Sequence, residues 1–289
     1  MRNLRELTRY PAAIVGILLV LGLFALAFYA VVTIPYSEAI RLWRGGEEVW
    51  YNTPKTAAPV WTNFFRTQDL PPTIDMTTTD GSVVKTVTQG ADGVSDIDFA
   101  FTFDYPYTAF PQELSIFFTA TYAEKSPHVS LTWLTPDGRE IRVASMPIDK
   151  SSVTYRLSQD DKLKRRLGGN LPPHQGLFAD PAYETLVALP GTYTLQASVT
   201  TFEPGSDVDA EFVSYGQVHG LAGTDHRRRD LSVALLWGTP IALAFGLLAA
   251  LGTTVTTMII AAVGTWYGGW VDALIQRITE VNMIIPYLP

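Results

Sequence analysis

Four histidines, two groups of neighbouring carboxylates and a run of three arginines are the side chains in this sequence whose types and spacing point to chemistry. Histidines that share a metal recur at short, fixed intervals, whereas His128, His174, His219 and His226 are scattered. His219 and His226, close to Asp225, are the nearest approach to a cation site, and surface histidines are the simpler expectation. "SQDD" (158–161) and "GSDVDAE" (205–211) offer paired carboxylates. A glycosidase needs two such groups facing each other across a cleft, and here the expectation is solvated loops. No G-x-S-x-G elbow, phosphate loop or H-E-x-x-H helix is present. With no cysteine, disulfides, thiolate metal sites and thiol catalysis are excluded. The middle of the chain therefore shows no visible active site, and no cofactor is expected.

The arginines remain. Arg227, Arg228 and Arg229 lie between Asp225 and Asp230, directly before a long uncharged stretch. A net charge of -7 opposes a nucleic-acid surface, which needs excess cations to displace phosphate counterions. Their role depends on the elements around them.

Those elements fall into three parts. From Pro11 to Tyr36 the chain carries no charge and is long enough to cross a hydrocarbon core of ~30 Å. Arg2, Arg5 and Arg9 precede it against Glu6 alone, so residues 1–10 are expected in the cytoplasm. A cleaved signal peptide is the alternative, disfavoured by the length of the apolar run and the lack of a small-x-small site. A second uncharged stretch runs from Leu231 to the residue before Asp272. The second span is expected over 232–264, with the threonines of "TTVTT" (253–257) bonding back to the preceding turn, and "GTWYGGW" (264–270) at the interface. Residues 265–280 are read as a cytoplasmic loop or helix. A third apolar segment opens at 281–289, and the expectation there is a truncated chain.

The middle of the sequence has period two. In "DIDFAFTFD", Ile97, Phe99, Phe101 and Phe103 alternate with Asp98, Ala100 and Thr102. "HVSLTWL", "IRVASM", "SVTYRL", "GTYTLQASVT", "VDAEFVSYG", "VVKTVT" and "ELSIFFTATY" bring the total to about eight strands, the signature of an antiparallel β-sandwich over 37–218. Residues 37–80 are expected to be an irregular lead-in. Residues 158–185 are expected to be an insertion with a short helix before Gly168. With the N-terminus inside, this domain lies outside the membrane and the arginines meet the second span from the outer face. Segment 219–231 is then expected to lie along the interface as a short helix. Its arginines would reach headgroups or Asp225 and Asp230, while Leu231, Val233 and Leu236 dip inward.

The region from residue 219 onward resembles the start of the permease core of binding-protein-dependent ABC importers. It is most similar to the second permease subunit of the dipeptide, oligopeptide and nickel class. Gly223, Thr224, Asp225, Arg229 and Asp230 match that family's Gly-Thr-Asp-x-x-Gly-Arg-Asp motif, and Arg228 stands where the family has its second glycine. Tyr267, Gly268, Gly269, Trp270 and Asp272 match a Tyr-Gly-Gly-Trp-x-Asp motif, and Pro286 sits where a third-span proline belongs. The resemblance does not extend over 37–215. It implies an α-helical membrane permease with an inserted extracytoplasmic β-sandwich, in a prokaryotic plasma membrane. The implied partners are a second permease subunit, two cytoplasmic ATPase subunits, an extracytoplasmic substrate-binding protein and membrane lipid, with no nucleic acid. A membrane-tethered β-sandwich sensor or ligand-binding module is the competing expectation.

Overall fold

The computed structural model describes residues 10–90, 93–182 and 186–284, the side chains of 282–284 excepted. Arg2, Arg5, Glu6, Arg9 and Pro286 lie outside the described residues. The chain divides into two compact units, one holding the two long apolar helices and the other spanning Ile40–Ser232.

In the first unit, helix α1 (Pro11–Thr33) ends before Tyr36, the limit expected from charge alone. The reason is Pro35, which forces Ile34 into an extended conformation (φ -119°, ψ 103°) and closes the helix. A second helix, α2 (Tyr36–Arg44), starts at once and carries acidic Glu38 in its first turn and Arg41 and Arg44 in its last. The second long helix, Leu231–Tyr267, has 37 residues and outruns the expected limit at Gly264. At ~1.5 Å per residue it is about 55 Å long, more than the ~30 Å of a hydrocarbon core. Both long helices have the length and composition to cross a membrane. Thr253 and Thr257 donate their hydroxyls to carbonyls one turn back, at 2.9 Å to Ala249 and 2.7 Å to Thr253. Trp237 Nε1 donates to the Ile34 carbonyl at 3.2 Å, and its ring meets Tyr36 at 5.4 Å. A last helix, Gly269–Ile284, runs without a break through the boundary expected at 280.

The second unit is a sandwich of two antiparallel sheets. Among the described residues nine strands form it: β1 (Ile74–Thr77), β2 (Lys85–Gln89), β3 (Ser95–Tyr105), β4 (Glu113–Thr121), β5 (His128–Leu134), β6 (Glu140–Pro147), β7 (Ser152–Arg156), β8 (Gly191–Thr201) and β9 (Asp207–Tyr215). One sheet has the order β1-β9-β4-β7, the other β2-β3-β8-β5-β6. The period-two pattern places Ile97, Phe99, Phe101 and Phe103 of β3 in the core, facing Ile116, Phe118 and Phe212 from β4 and β9. At one end Phe103, Trp133, Phe178, Tyr193 and Phe212 form a continuous aromatic cluster. Its ring centroids include 4.5 Å for Phe178–Tyr193, 5.3 Å for Trp133–Phe178 and 5.7 Å for Phe103–Phe212. The polar tips are satisfied, since Trp133 Nε1 donates to Leu177 O (3.2 Å) and Tyr193 OH to Leu189 O (2.6 Å).

Phe178 reaches this cluster from the non-alternating insertion. That segment contains the expected short helix (Asp161–Arg166), capped by Asp160 through the N–H groups of Lys162 and Leu163, and a further turn of helix at Pro173–Gly176. The lead-in is more ordered than expected. Besides α2 it holds a 3-10 helix, Val60–Phe65, and β1. Strand β1 has only four residues, too few to alternate visibly, and it exists because it pairs with β9 (Asp75 opposite Val213). The acidic run 207–211 is likewise not a loop. Asp207, Asp209 and Glu211 sit on one face of β9, where Lys85 bridges Asp207 at 2.6 Å and Asp209 at 3.0 Å. Truncating Phe178 to Ala opens a void in the aromatic cluster and is expected to destabilise the domain by about 3–5 kcal/mol. Truncating half-exposed Phe202 is expected to shift stability by less than ~0.5 kcal/mol. Urea unfolding of the detergent-solubilised chain, followed by tryptophan fluorescence, measures both.

Candidate functional site

The first motif folds as a tight knot of turns and not as the interfacial helix expected for 219–231. Two short chain segments lie side by side here. Ala57 N–H donates to Thr224 Oγ1 (2.9 Å), Thr224 N–H to Ala57 O (3.0 Å), Thr56 N–H to Asp225 O (3.0 Å), and Val60 N–H to Gly220 O (3.0 Å). Gly223 has φ +73°, and a Cβ there would lie 2.3 Å from Ala57 O, so only glycine permits this approach. Thr224 is buried and also donates its hydroxyl to Pro54 O at 2.7 Å.

Asp225 organises the turn. Its Oδ1 accepts from the N–H groups of Arg227 (2.8 Å) and Arg229 (3.0 Å), and its Oδ2 from Arg229 Nε (2.8 Å) and Nη2 (2.6 Å). Burial acts to raise the Asp225 pKa, but these bonds outweigh it and hold the carboxyl below its usual range. Arg229 also lies over the Trp43 ring, 3.9 Å from its centroid. Asp230 pairs with none of the arginines. It accepts from the Ser232 N–H at 2.7 Å, as a helix cap does, and approaches His219 Nε2 at 3.9 Å.

The three arginines therefore have three fates. Arg227 is exposed. Arg229 closes the turn on Asp225. Arg228 is buried, with its backbone at φ +66°, a left-handed conformation that glycine adopts far more readily. A tight turn forms here with arginine at this position, the Arg228 N–H donating to the Asp225 carbonyl at 3.1 Å. Its guanidinium donates to Thr53 O (2.6 Å) and to the Glu113 carboxylate, and sits 4.3 Å from the centroid of the Tyr215 ring. The Thr53 hydroxyl donates in turn to the Arg228 carbonyl.

Tyr267, Gly268, Gly269, Trp270 and Asp272 come together at the junction of the last two helices, within the helical unit. Gly268 and Gly269 both have positive φ (+59° and +56°), which breaks the helix and redirects it. Asp272 opens the next helix, accepting from Gln276 Nε2 at 3.0 Å. Tyr267 and Trp270 are exposed.

Beside Arg228, the outer face of the β1-β9-β4-β7 sheet carries a cleft of about 490 Å³. Its floor is Ser115, Phe117 and Thr119 of β4 with Thr154 and Arg156 of β7, and Glu211 stands opposite Phe117 on β9. Tyr51 forms a wall, its ring edge-on to Phe117 at 5.0 Å and its hydroxyl donating to Glu211 at 3.0 Å. Burial first, then the nearby Asp75 charge, push Glu211 up to about 7, against the opposing effect of the Tyr51 hydrogen bond. Asp75 itself accepts from Asn52 at 3.1 Å. Hydroxyls, an aromatic corner and a carboxyl that changes charge near neutrality suit a polar ligand. Among the described residues no three metal-ligating side chains converge. Sequence reasoning missed this cleft and the partners of Arg228, because Thr53 and Glu113 lie 175 and 115 residues away along the chain.

No family model matches the chain. A peptidoglycan transport system permease protein, YejE of Agrobacterium fabrum, is 32% identical over 66 residues, which is 23% of this chain and 17% of that protein. The chain thus spans under a fifth of the length of this relative. Among solved structures, a carbohydrate-binding module in complex with beta-1,4-galactotriose matches with a TM-score of 0.23 and 12% identity, over 53% of this chain and 91% of its own. Carbohydrate-binding modules of the β-sandwich superfamily match with a TM-score of 0.24 and 8% identity, over 57% and 62%. An infectious bursal disease virus protein gives 0.24 and 15%, over 52% and 31%.

Two outcomes are expected at this site. Arg228→Ala leaves Glu113 and the Thr53 carbonyl without their donor and is expected to cost ~3 kcal/mol, whereas exposed Arg227→Ala stays within ~0.5 kcal/mol. Urea titration of the two variants separates them. The Glu211 pKa is higher in the folded state than in the unfolded one. Its contribution is therefore full below the unfolded value and is lost as pH rises through about 7. Thermal midpoints measured across that range should fall for the native chain and remain flatter for Glu211→Gln.

Proposed function

We propose that this chain belongs to the transmembrane permease subunit of an ABC importer and forms part of the path of a peptide-like solute. The observation that carries the reading is the 32% identity over 66 residues with a transport permease, in a chain with two helices able to cross a membrane. The motif geometry supports it: Gly223, Thr224, Asp225, Arg229 and Asp230 form one turn at the foot of the second long helix, and Gly268 and Gly269 redirect the chain where that helix ends.

In this reading, a second permease subunit completes the pathway and two cytoplasmic ATPase subunits supply the energy. An extracytoplasmic binding protein delivers the solute. Transport proceeds by alternating access, and this chain breaks no bond. The N-terminus lies in the cytoplasm, the β-sandwich outside, and the helix Gly269–Ile284 on the cytoplasmic side of the second span. The sandwich stands where it can meet the binding protein or the partner permease. A second reading, the sandwich as a ligand-binding module in its own right, is favoured by the cleft at Glu211 and Phe117.

The absence of cysteine makes the orientation directly measurable. Ser151→Cys lies on an exposed loop of the sandwich, and Thr279→Cys lies on an exposed position of the last helix. In intact cells an impermeant maleimide is expected to label the first and not the second. The reverse pattern would overturn the topology.

A further inference from the structure

The 3-10 helix Val60–Phe65 exposes apolar side chains that the sandwich leaves uncovered. Phe64 is 87% exposed, Phe65 76% and Trp61 57%. Leu221, on the neighbouring loop, is 80% exposed, and Trp61 Nε1 donates to its carbonyl at 3.0 Å. The rings form one cluster, with Phe64–Phe65 centroids at 5.2 Å and Trp61–Phe65 at 6.3 Å, both edge-on. Other exposed large apolar residues among the described residues of this unit include Val84, Leu186 and Phe202, each well separated from the others along the chain. Single exposed apolar residues need no explanation, but a contiguous aromatic patch does.

Its place in the chain identifies what covers it. Leu221 is two residues from Gly223, whose carbonyl accepts from the N–H of Leu231, the first residue of the long apolar helix. The patch is therefore built on the loop that leads into a candidate span. It is held there by the bonds from Val60 to Gly220 and from Trp61 to Leu221. Tryptophan and phenylalanine, apolar in body and (for tryptophan) with a polar N–H, suit the boundary between headgroups and acyl chains. Arg66 follows Phe65 and is exposed, which places a cation beside the rings to meet lipid phosphate.

We propose that Trp61, Phe64, Phe65 and Leu221 form a membrane-contacting foot of the β-sandwich, inserted into the interfacial layer of the bilayer that the chain's own helices cross. This rests on the membrane reading given above.

The test uses single cysteines in the full chain, each carrying a polarity-sensitive fluorophore and reconstituted in phospholipid nanodiscs with and without spin-labelled lipid. Phe64→Cys and Phe65→Cys report the foot. Leu247→Cys, within the second long helix, reports the span, and Val84→Cys, exposed beside β2, reports the aqueous face. Blue-shifted emission and lipid quenching are expected at Leu247, Phe64 and Phe65, with neither at Val84. Quenching at Leu247 together with Val84-like behaviour at both foot positions overturns the proposal while the membrane reading stands, and leaves a protein partner to cover the patch. Loss of lipid quenching at Leu247 removes the membrane reading and the foot with it. Quenching at Val84 equal to that at Phe64 also overturns it, because contact is then not confined to the foot.

Discussion

A buried guanidinium in a left-handed backbone is the constraint on which the base of the sandwich depends. Arg228 is an unfavourable residue at φ +66°, where Cβ crowds the following carbonyl at a cost of roughly 1–2 kcal/mol. Its side chain is also expensive to desolvate. Both costs are offset only because the guanidinium meets a carbonyl, a carboxylate and a ring face together. Each partner comes from a different stretch: Thr53 from the lead-in, Glu113 from the start of β4, Tyr215 from the end of β9. One side chain thus joins the entering chain, the sheet and the departing chain. The neighbouring cleft depends on that junction, since Tyr215 donates its hydroxyl to the Tyr51 carbonyl and so helps set the wall that faces Glu211.

The electrostatics of the junction also explain why three adjacent arginines do not repel one another out of the fold. Asp225 receives the side chain of one and the backbone N–H groups of two, and Glu113 receives the side chain of another. Only Arg227 is left to water. A triplet that looks uniform in sequence is therefore resolved into a solvated charge, a turn-closing charge and a core charge. The division follows from the partners each side chain reaches, Asp225 and the Trp43 ring for Arg229 and Thr53, Glu113 and the Tyr215 ring for Arg228.

Much of the sandwich was legible because its strands are long and one-sided. Strand β3 has eleven residues and strict alternation, and its inward residues are the ones the pattern named. The insertion helix was legible from its composition and the glycines that end it. Strand β1 was not, because four residues leave little room for a period and its existence depends on β9. The burial of Arg228 was not legible either. A charge run beside an apolar stretch reads locally as interfacial, and the groups that overrule that reading are more than a hundred residues away. In the resemblance motif, Gly223 shows its reason directly through the approach of Ala57, while Arg228 shows that a left-handed turn can hold an arginine when its side chain finds partners.

The two segments that flank the sandwich bond to each other within its own unit. From Thr56 to Val60 the incoming segment bonds repeatedly to Gln217–Asp225, so the domain stands on a paired, hydrogen-bonded stem without the Gly/Ser composition of a loose linker. Pairing of the two segments lowers the conformational freedom of each, and any rearrangement of one must break bonds to the other. The 3-10 helix that carries the exposed rings continues directly from this stem, and one of those rings, Trp61, bonds back to Leu221. A stem that is ordered already loses little further entropy when its tip meets a surface, so the aromatic cluster can act as a contact without a folding step.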